Sequence, residues 1–193
     1  MIRVLSRTTA RALTIAALAA TAAVGVSTSA SAAPKDCAYN PGGRGGYGSY
    51  VDSLAVSQMD WEVDLFNAIN AYRAQNGLRA LAFSRTLARP AMWASLDSYA
   101  RGFSPSNHID SRGMNVPQRV QYCSGYTGYL GEINYYGIGV QYAKWQSALA
   151  WWKQSPGHNA RMLDAKATVM AVGLAYEGED RHRAHYTVVF GDH

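Results

Sequence analysis

Four side chains of this sequence could carry out chemistry together: His108, Asp110, Glu132 and His158. Two imidazoles with one or two carboxylates can ligate a borderline divalent metal such as zinc and leave a position open for water. The same groups can exchange protons as a general acid and base without a metal. Because the four residues are scattered along the chain, their spacing alone leaves both interpretations open, as well as the interpretation that they do not cluster.

The local sequence is most informative at His158, which follows Ser155, Pro156 and Gly157. Ser155 is a favourable N-cap, and Pro156 suits the first helical position because its missing N–H would have no partner there. A short helix is therefore predicted to begin here. Its free N–H groups and the positive end of its dipole would lie beside the imidazole, which favours the neutral form that can act as a ligand.

The elements that must position these side chains follow from hydrophobic periodicity, caps and turn signals. Helices first and a few strands last indicate an α+β layered domain. His108, Asp110 and Glu132 then lie in connecting segments or at the ends of elements. Helices are predicted over 59–76, 85–101, 116–122 and 143–154, and a terminal antiparallel hairpin is predicted from strands 168–176 and 184–190.

Residues 1–32 have the features of a secretory signal peptide: three arginines, an apolar stretch over 13–26 and a small-residue cleavage site at its end. The mature protein is therefore predicted to be secreted. No later segment is continuously apolar for the roughly 20 residues that a membrane-spanning helix needs. Without the three signal arginines, 15 of the 18 basic residues remain against 13 acidic ones. So weak a positive charge gives no indication of nucleic-acid binding.

Residues 33–58 are a predicted arm rich in Gly and Tyr, and residues 59–193 are the predicted domain. The arm contains a formal G-x-G-x-x-G over 43–48, but no strand precedes it, so no dinucleotide site is expected. The sequence has two cysteines, Cys37 and Cys123. Because an even number of cysteines in an exported protein favours pairing, we predict a disulfide between them, with two free thiols as the alternative.

The segment 152–163, with the pattern W-x-x-S-P-G-H-x-x-x-x-L, and the upstream dipeptide Gly131-Glu132 resemble the bacterial branch of the CAP superfamily. This superfamily includes the cysteine-rich secretory proteins, insect venom antigen 5 and plant pathogenesis-related protein 1. The resemblance implies a three-layer α-β-α sandwich with a small antiparallel sheet. It also implies a cleft holding two histidines and two acidic residues, which in some members bind a divalent cation. Further similar segments are 69–73, 76–81, 103–108, 172–174 and 186–191.

By motif, His108 and His158 correspond to the two cleft histidines and are the expected metal ligands. Glu132 corresponds to the acid after glycine, and Asp110 is a looser match to the second acid. The chain departs from the family pattern in two places. The usual Phe-Ser-His is stretched over 103–108, and the asparagine that usually follows Gly-Glu is Asn134, one residue late. Because side chains alternate in extended backbone, this shift can turn the amide to the other face and remove its support for Glu132.

The leading expectation is a secreted, monomeric binding module for an extracellular lipid, peptide or cell-surface component, with a cleft that can hold a divalent cation. The alternative is a metal-assisted hydrolase in which Glu132 or Asp110 acts as base on a metal-activated water, with Glu132 and His158 as the candidate catalytic residues. Binding is favoured because the sequence has no complete nucleophile or metalloenzyme motif, and Ser155 is assigned to capping.

Two further groups of residues have less specific patterns. The aromatic residues at 135–136, 142 and 151–152 could line an apolar groove, although their near-helical spacing is more typical of a core. His182 and His185 flank the turn of the predicted hairpin and are expected on opposite faces of a strand, which does not favour a joint metal site. His193 ends the sequence and is expected to be solvated.

Overall fold

The computed structural model describes Cys37, residues 60–177 and residues 182–193. The predicted signal peptide, 1–32, and the predicted arm, 33–58, lie outside these residues, apart from Cys37. All of the described residues belong to one unit of the chain, 32–193. No helix among them is long and apolar enough to cross a membrane.

The described chain forms five helices and four strands, and the predicted helices and hairpin are confirmed to within a few residues. Glu132 is the exception among the predicted positions, because it lies inside a strand rather than in a connecting segment. In chain order the elements are α1 Asp60–Gln75, β1 Ala82–Phe83, α2 Arg85–Arg101, α3 Val116–Ser124, β2 Leu130–Ile138, α4 Trp145–Gln154, α5 Pro156–Met162, β3 Val169–Glu177 and β4 Arg183–Gly191.

Helix α2 begins and ends where its sequence predicts. The Ser84 hydroxyl accepts a hydrogen bond from the Leu87 N–H at 3.3 Å, which satisfies one of the unpaired donors of the first turn. Gly102 ends the helix with φ +77, a conformation that glycine adopts without a steric penalty. The first cap defines where α2 begins. The second defines where α2 ends and where the segment that leads to His108 begins.

The strands form one sheet in the order β1-β3-β4-β2. The predicted hairpin is confirmed, since β3 pairs antiparallel with β4, and β2 pairs antiparallel with the other side of β4. The short β1 is parallel to β3, so the sheet is mixed rather than wholly antiparallel. Among the described strands β2 therefore lies at an edge of the sheet, and this edge is where the candidate site is built.

Strand β2 is not predicted by the sequence because glycines interrupt its apolar pattern. One of them, Gly137, is required by packing: a Cβ there would lie 2.1 Å from the carbonyl oxygen of Tyr142. The segment that follows β2 therefore folds back closely over the strand. This close approach brings Tyr142 to the same edge of the sheet.

Helices cover both faces of the sheet, which confirms the α+β sandwich. On one face α1 and α4 pack against the strands through a core that includes Ile69, Ile133 and Trp152. On the other face α2 and α3 contribute a second core that includes Leu87 and Val120. The alternation of side chains along each strand divides the sheet residues between these two cores.

The predicted disulfide is confirmed between Cys37 and Cys123, which are 86 residues apart in the sequence. Cys123 lies in α3 and is 1% exposed, and Cys37 is 4% exposed. The bond therefore attaches a residue of the predicted arm to the buried side of α3. A cross-link over so long a segment restricts the unfolded chain strongly.

We expect the double substitution Cys37→Ser/Cys123→Ser to lower the free energy of unfolding by about 4 kcal/mol, because the unfolded chain regains the entropy of the long loop. Urea denaturation of the purified mature protein measures this loss. Reductant should destabilise the wild type by a similar amount and leave the double variant unchanged. An equal effect of reductant on both proteins would contradict the assignment.

Candidate functional site

A groove runs along the edge strand β2 and consists of two adjoining clefts. Cleft A, of about 490 Å³, follows the second half of the strand, Asn134–Ile138. Cleft B, of about 430 Å³, follows the first half, Leu130–Ile133. His108 and His158 line both clefts. The two imidazoles therefore stand at the middle of one continuous groove.

The two histidines reach the groove from opposite layers of the sandwich. His108 comes from the segment between α2 and α3, and His158 lies in the first turn of α5, directly after α4. The backbone of His108 has φ +58, an uncommon conformation for a residue with a side chain. It is held by a hydrogen bond from the His108 N–H to the Pro105 carbonyl and by one from Arg119 Nη1 to the His108 carbonyl, at 3.1 and 3.2 Å.

Glu132 supports His108 from the floor of the groove. Its Oε1 lies 2.9 Å from Nδ1 of His108, and its Oε2 accepts a hydrogen bond from Arg119 Nη2. The Glu132 and Arg119 side chains are each 2% exposed. Because a carboxylate can only accept, Nδ1 of His108 carries a proton that it donates to Glu132. Both oxygens of Glu132 are therefore engaged.

The shifted position of Asn134 in the sequence suggests that its side chain does not support Glu132, and in the structure it does not. The side-chain amide of Asn134 donates to the Pro105 carbonyl at 3.2 Å. The backbone carbonyl of Asn134 accepts from the indole N–H of Trp152 at 2.9 Å. Arg119 supplies the support instead. The sequence contains no signal for this role, because Arg119 lies in a different element and 13 residues away from Glu132.

Ser155 lies at the predicted N-cap of α5, with extended φ −94 and ψ 113, but its side chain makes no capping hydrogen bond. The predicted capping role of the hydroxyl is therefore wrong. Ser155 Oγ lies instead 2.7 Å from Nδ1 of His158. Burial, and then the charge of His108, lower the pKa of His158, which favours its neutral form.

Asp110 lines neither cleft. It shares only a small cavity of about 10 Å³ with His108 and Glu132 behind the groove. Its Oδ1 accepts from the N–H groups of Arg112 and Met114, at 3.0 and 2.9 Å, and its Oδ2 accepts from the Trp93 indole at 3.3 Å. Burial alone would raise the pKa of Asp110, but these hydrogen bonds lower it overall. Asp110 therefore organises its own turn.

Nε2 of His108 and of His158 has no protein partner within the described part of the chain. Each imidazole thus has Nδ1 held by a neighbour and Nε2 available to the groove, an arrangement common for metal-binding histidines. Across residues 60–177 and 182–193, however, no three His, Cys, Asp or Glu side chains are placed to hold one ion. The histidine pair by itself offers two ligands.

His185 is a buried neighbour of the groove, although its position in the sequence gives no indication of this. Its side chain is 0% exposed, stacks on Tyr136 at 4.5 Å and has Nδ1 3.3 Å from Ser104 Oγ. Burial, with a smaller contribution from Arg183, lowers its pKa from 6.5 to about 3. His182 has a different environment, with Nδ1 3.3 Å from the Tyr176 hydroxyl.

The aromatic residues near the groove divide between core and surface. Trp152 is fully buried in the core between α1, α4 and the sheet. Trp151 is 48% exposed and Tyr142 is 55% exposed, and both line cleft A with Tyr135. Consecutive tryptophans thus have opposite roles, as expected for neighbouring positions on a helix with one buried face.

The profile of the CAP family, described as "Cysteine-rich secretory protein family", matches residues 66–190 of the chain. No curated protein matches the sequence. An outer surface protein of Borrelia burgdorferi is similar in structure with a TM-score of 0.60 and 15% identity, over 70% of this chain and 95% of that one.

Two further solved structures are similar. An extracellular protein of Bacillus anthracis that contains an SCP domain has a TM-score of 0.54 and 21% identity, over 72% of this chain and 45% of that one. A cysteine-rich secretory protein of Staphylococcus aureus has a TM-score of 0.48 and 18% identity, over 72% and 40%. This chain therefore spans less than half of the Bacillus protein, and at these identities the likeness shows the fold.

We expect Arg119→Met to lower the free energy of unfolding by about 3–5 kcal/mol, because it leaves the carboxylate of Glu132 buried without its cation. Urea denaturation measures the loss. The matched control is Arg161→Met, since the Arg161 side chain is 49% exposed and lies 3.9 Å from Asp164. The control should lose less than about 1 kcal/mol. Equal losses would show that the buried ion pair is not the stabilising interaction.

Stability should fall as the pH falls from about 6.5 towards 3, and His185 should cause a large part of the change. The pKa of His185 is lower in the folded protein than in the unfolded chain. In this window the unfolded chain therefore binds a proton that the folded protein does not, which costs up to about 1.4 kcal/mol per pH unit.

The variant His185→Phe tests this effect, because Phe keeps a ring of similar size and cannot titrate. We expect its free energy of unfolding, measured in urea at pH 7, 6, 5 and 4, to depend less on pH than that of the wild type. The aspartates with lowered pKa values titrate equally in both proteins. Parallel curves for wild type and variant would contradict the prediction, and His193→Phe serves as the exposed control.

Proposed function

The chain belongs to the CAP family, the cysteine-rich secretory protein family, and we propose that it is an extracellular binding module whose ligand occupies the groove between His108 and His158. The observation that carries the proposal is the presentation of the two imidazoles. Each has Nδ1 held by a neighbouring side chain, Glu132 or Ser155, so that Nε2 is left to meet a ligand in the groove. A concave site lined mainly by apolar residues with a few oriented polar groups is typical of ligand binding.

The histidine pair also fits an exchangeable divalent cation such as zinc. Neutral imidazoles are good zinc ligands, and burial already favours the neutral form of His158 by lowering its pKa. Glu132 does not fit as a third ligand, because His108 and Arg119 occupy its two oxygens. Two protein ligands suit a weakly held ion whose other positions are filled by water or by the bound ligand. They do not suit a resident structural zinc, which takes four.

The same contacts favour binding over metal-assisted hydrolysis. A general base needs a carboxylate oxygen that can reach water, and the oxygens of Glu132 are engaged by Arg119 and His108. Asp110 is hydrogen-bonded within its own turn and lines neither cleft. Neither acid is therefore disposed to act on a substrate in the groove.

An extracellular location is supported by the disulfide and by the similar proteins. Disulfides such as Cys37–Cys123 are stable in oxidising compartments and are rare in cytosolic proteins. The similar proteins of Borrelia and Bacillus are described as an outer surface protein and an extracellular protein. The secretory signal proposed for residues 1–32 would deliver the chain to that side of the membrane.

We expect Zn²⁺ to bind the wild-type mature protein and to raise its melting temperature, because an ion that binds only the folded state stabilises it by about 2.7 kcal/mol at 100 times its Kd. His108→Ala and His158→Ala should each abolish the shift. Isothermal titration and thermal melts with and without chelator provide the measurement.

The matched control for this experiment is His193→Ala, since the His193 side chain is 68% exposed and lies outside the groove. This variant should bind zinc as the wild type does. A zinc-dependent shift that survives both groove substitutions would exclude the histidine pair as the cation site. Loss of the shift in the control as well would indicate surface binding.

A further inference from the structure

Cleft A has a lining that the histidine pair does not account for. It carries the rings of Tyr135, Tyr136, Tyr142 and Trp151, and its lining residues include no Asp, Glu, Lys or Arg. The cleft is therefore aromatic and uncharged apart from its two histidines. We propose that cleft A binds a neutral saccharide, with the rings as stacking surfaces; the proposal rests on the groove being the ligand site.

Two rings of this cleft, those of Trp151 and Tyr135, are held in place by their neighbours. Trp151 is 48% exposed and lies 4.7 Å from the His158 ring and 6.0 Å from the Tyr135 ring, measured between centroids. The Tyr135 hydroxyl donates a hydrogen bond to the backbone carbonyl of Tyr142 at 3.1 Å, which orients the Tyr135 ring. Tyr142 itself is 55% exposed. Rigid exposed rings lose little conformational entropy when a ligand binds, which favours recognition.

Several polar groups around these rings have no hydrogen-bond partner among the described residues. Within the described part of the chain, the hydroxyls of Ser106, Tyr136 and Tyr142 and the indole N–H of Trp151 form no hydrogen bond. Each can donate, and the hydroxyls can also accept. The cleft thus combines flat apolar surfaces with several hydrogen-bonding groups that point to no internal partner.

These features match the chemistry of a sugar ring, which has an apolar C–H face and a periphery of hydroxyls. An acyl chain or another wholly apolar ligand would remove the unused polar groups from water without giving them partners, at about 1–3 kcal/mol for each group. A cationic ligand would find no carboxylate among the side chains that line cleft A, and an anionic ligand would find no lysine or arginine there. A neutral saccharide avoids both costs.

An extended peptide added to the free edge of β2 fits less well. Strand addition needs a continuous row of backbone donors and acceptors. The Asn134 carbonyl in the middle of β2 already accepts from the Trp152 indole at 2.9 Å. The row is therefore interrupted at Asn134.

The test is titration of the mature protein with two neutral oligosaccharides, cellotetraose and chitotetraose, followed by tryptophan fluorescence and by isothermal titration. We expect a saturable signal with at least one of them, with a Kd in the millimolar range or tighter. Trp151→Ala should weaken binding at least tenfold, whereas Trp151→Phe should retain much of it. Phe103→Ala is the matched control, since Phe103 is 49% exposed and does not line the cleft.

Three outcomes would overturn the proposal: no saturable binding of either oligosaccharide, binding that Trp151→Ala leaves unchanged, or binding of laurate that requires Trp151 in place of the saccharides. Thermal melts verify that each variant is folded. The result is separable from that of the zinc experiment. Tyr142→Ala should weaken saccharide binding and keep the zinc-dependent shift, so saccharide binding and cation binding can fail independently.

Discussion

The groove depends on one buried ion pair, between Glu132 in β2 and Arg119 in α3. Moving two charges out of water costs several kcal/mol for each ion, and only close pairing with further hydrogen bonds offsets that cost. Here Arg119 pairs with one oxygen of Glu132, and His108 occupies the other. Arg119 also holds the His108 carbonyl. A strand, a helix and the segment between α2 and α3 are thereby joined at one point, and the uncommon backbone conformation of His108 is held by that joint.

The order of the strands explains why the two histidines can meet. Because β2 pairs only with β4 among the described strands, no further strand separates the helical layers along its other side. His108 approaches from the layer of α2 and α3, and His158 from the layer of α4 and α5. Had another strand followed β2, it would occupy the space where the imidazoles now face the groove. The site is thus a consequence of where the sheet ends.

The parts of this architecture that the sequence predicts are those decided by local interactions. The caps of α2, the periodicity of the helices and the terminal hairpin depend on neighbours within a few residues, and a sequence motif indicates the two histidines. Strand β2 is not predicted, because its pairing with β4 outweighs its glycines. Asp110 is a residue for which proximity in the sequence misleads. Its place beside His108 suggests that the two share a cleft, whereas its carboxylate accepts hydrogen bonds from nearby backbone N–H groups. The Glu132–Arg119 pair is a tertiary contact for which residue spacing offers no rule.

Ser155 shows how the local rule and the tertiary contact compete. A side-chain N-cap contributes about 1 kcal/mol to a helix, and Ser155 is placed to provide it. Its hydroxyl instead bonds Nδ1 of His158, and helix α5 begins without side-chain capping. One feature lessens the loss: Pro156, at the first helical position, has no N–H to satisfy. What the hydroxyl provides is orientation, because an imidazole held at Nδ1 presents Nε2 in a fixed direction. Ser155 thus lacks the stabilising N-cap hydrogen bond that its position predicts. Such exceptions to local sequence rules are expected at functional sites.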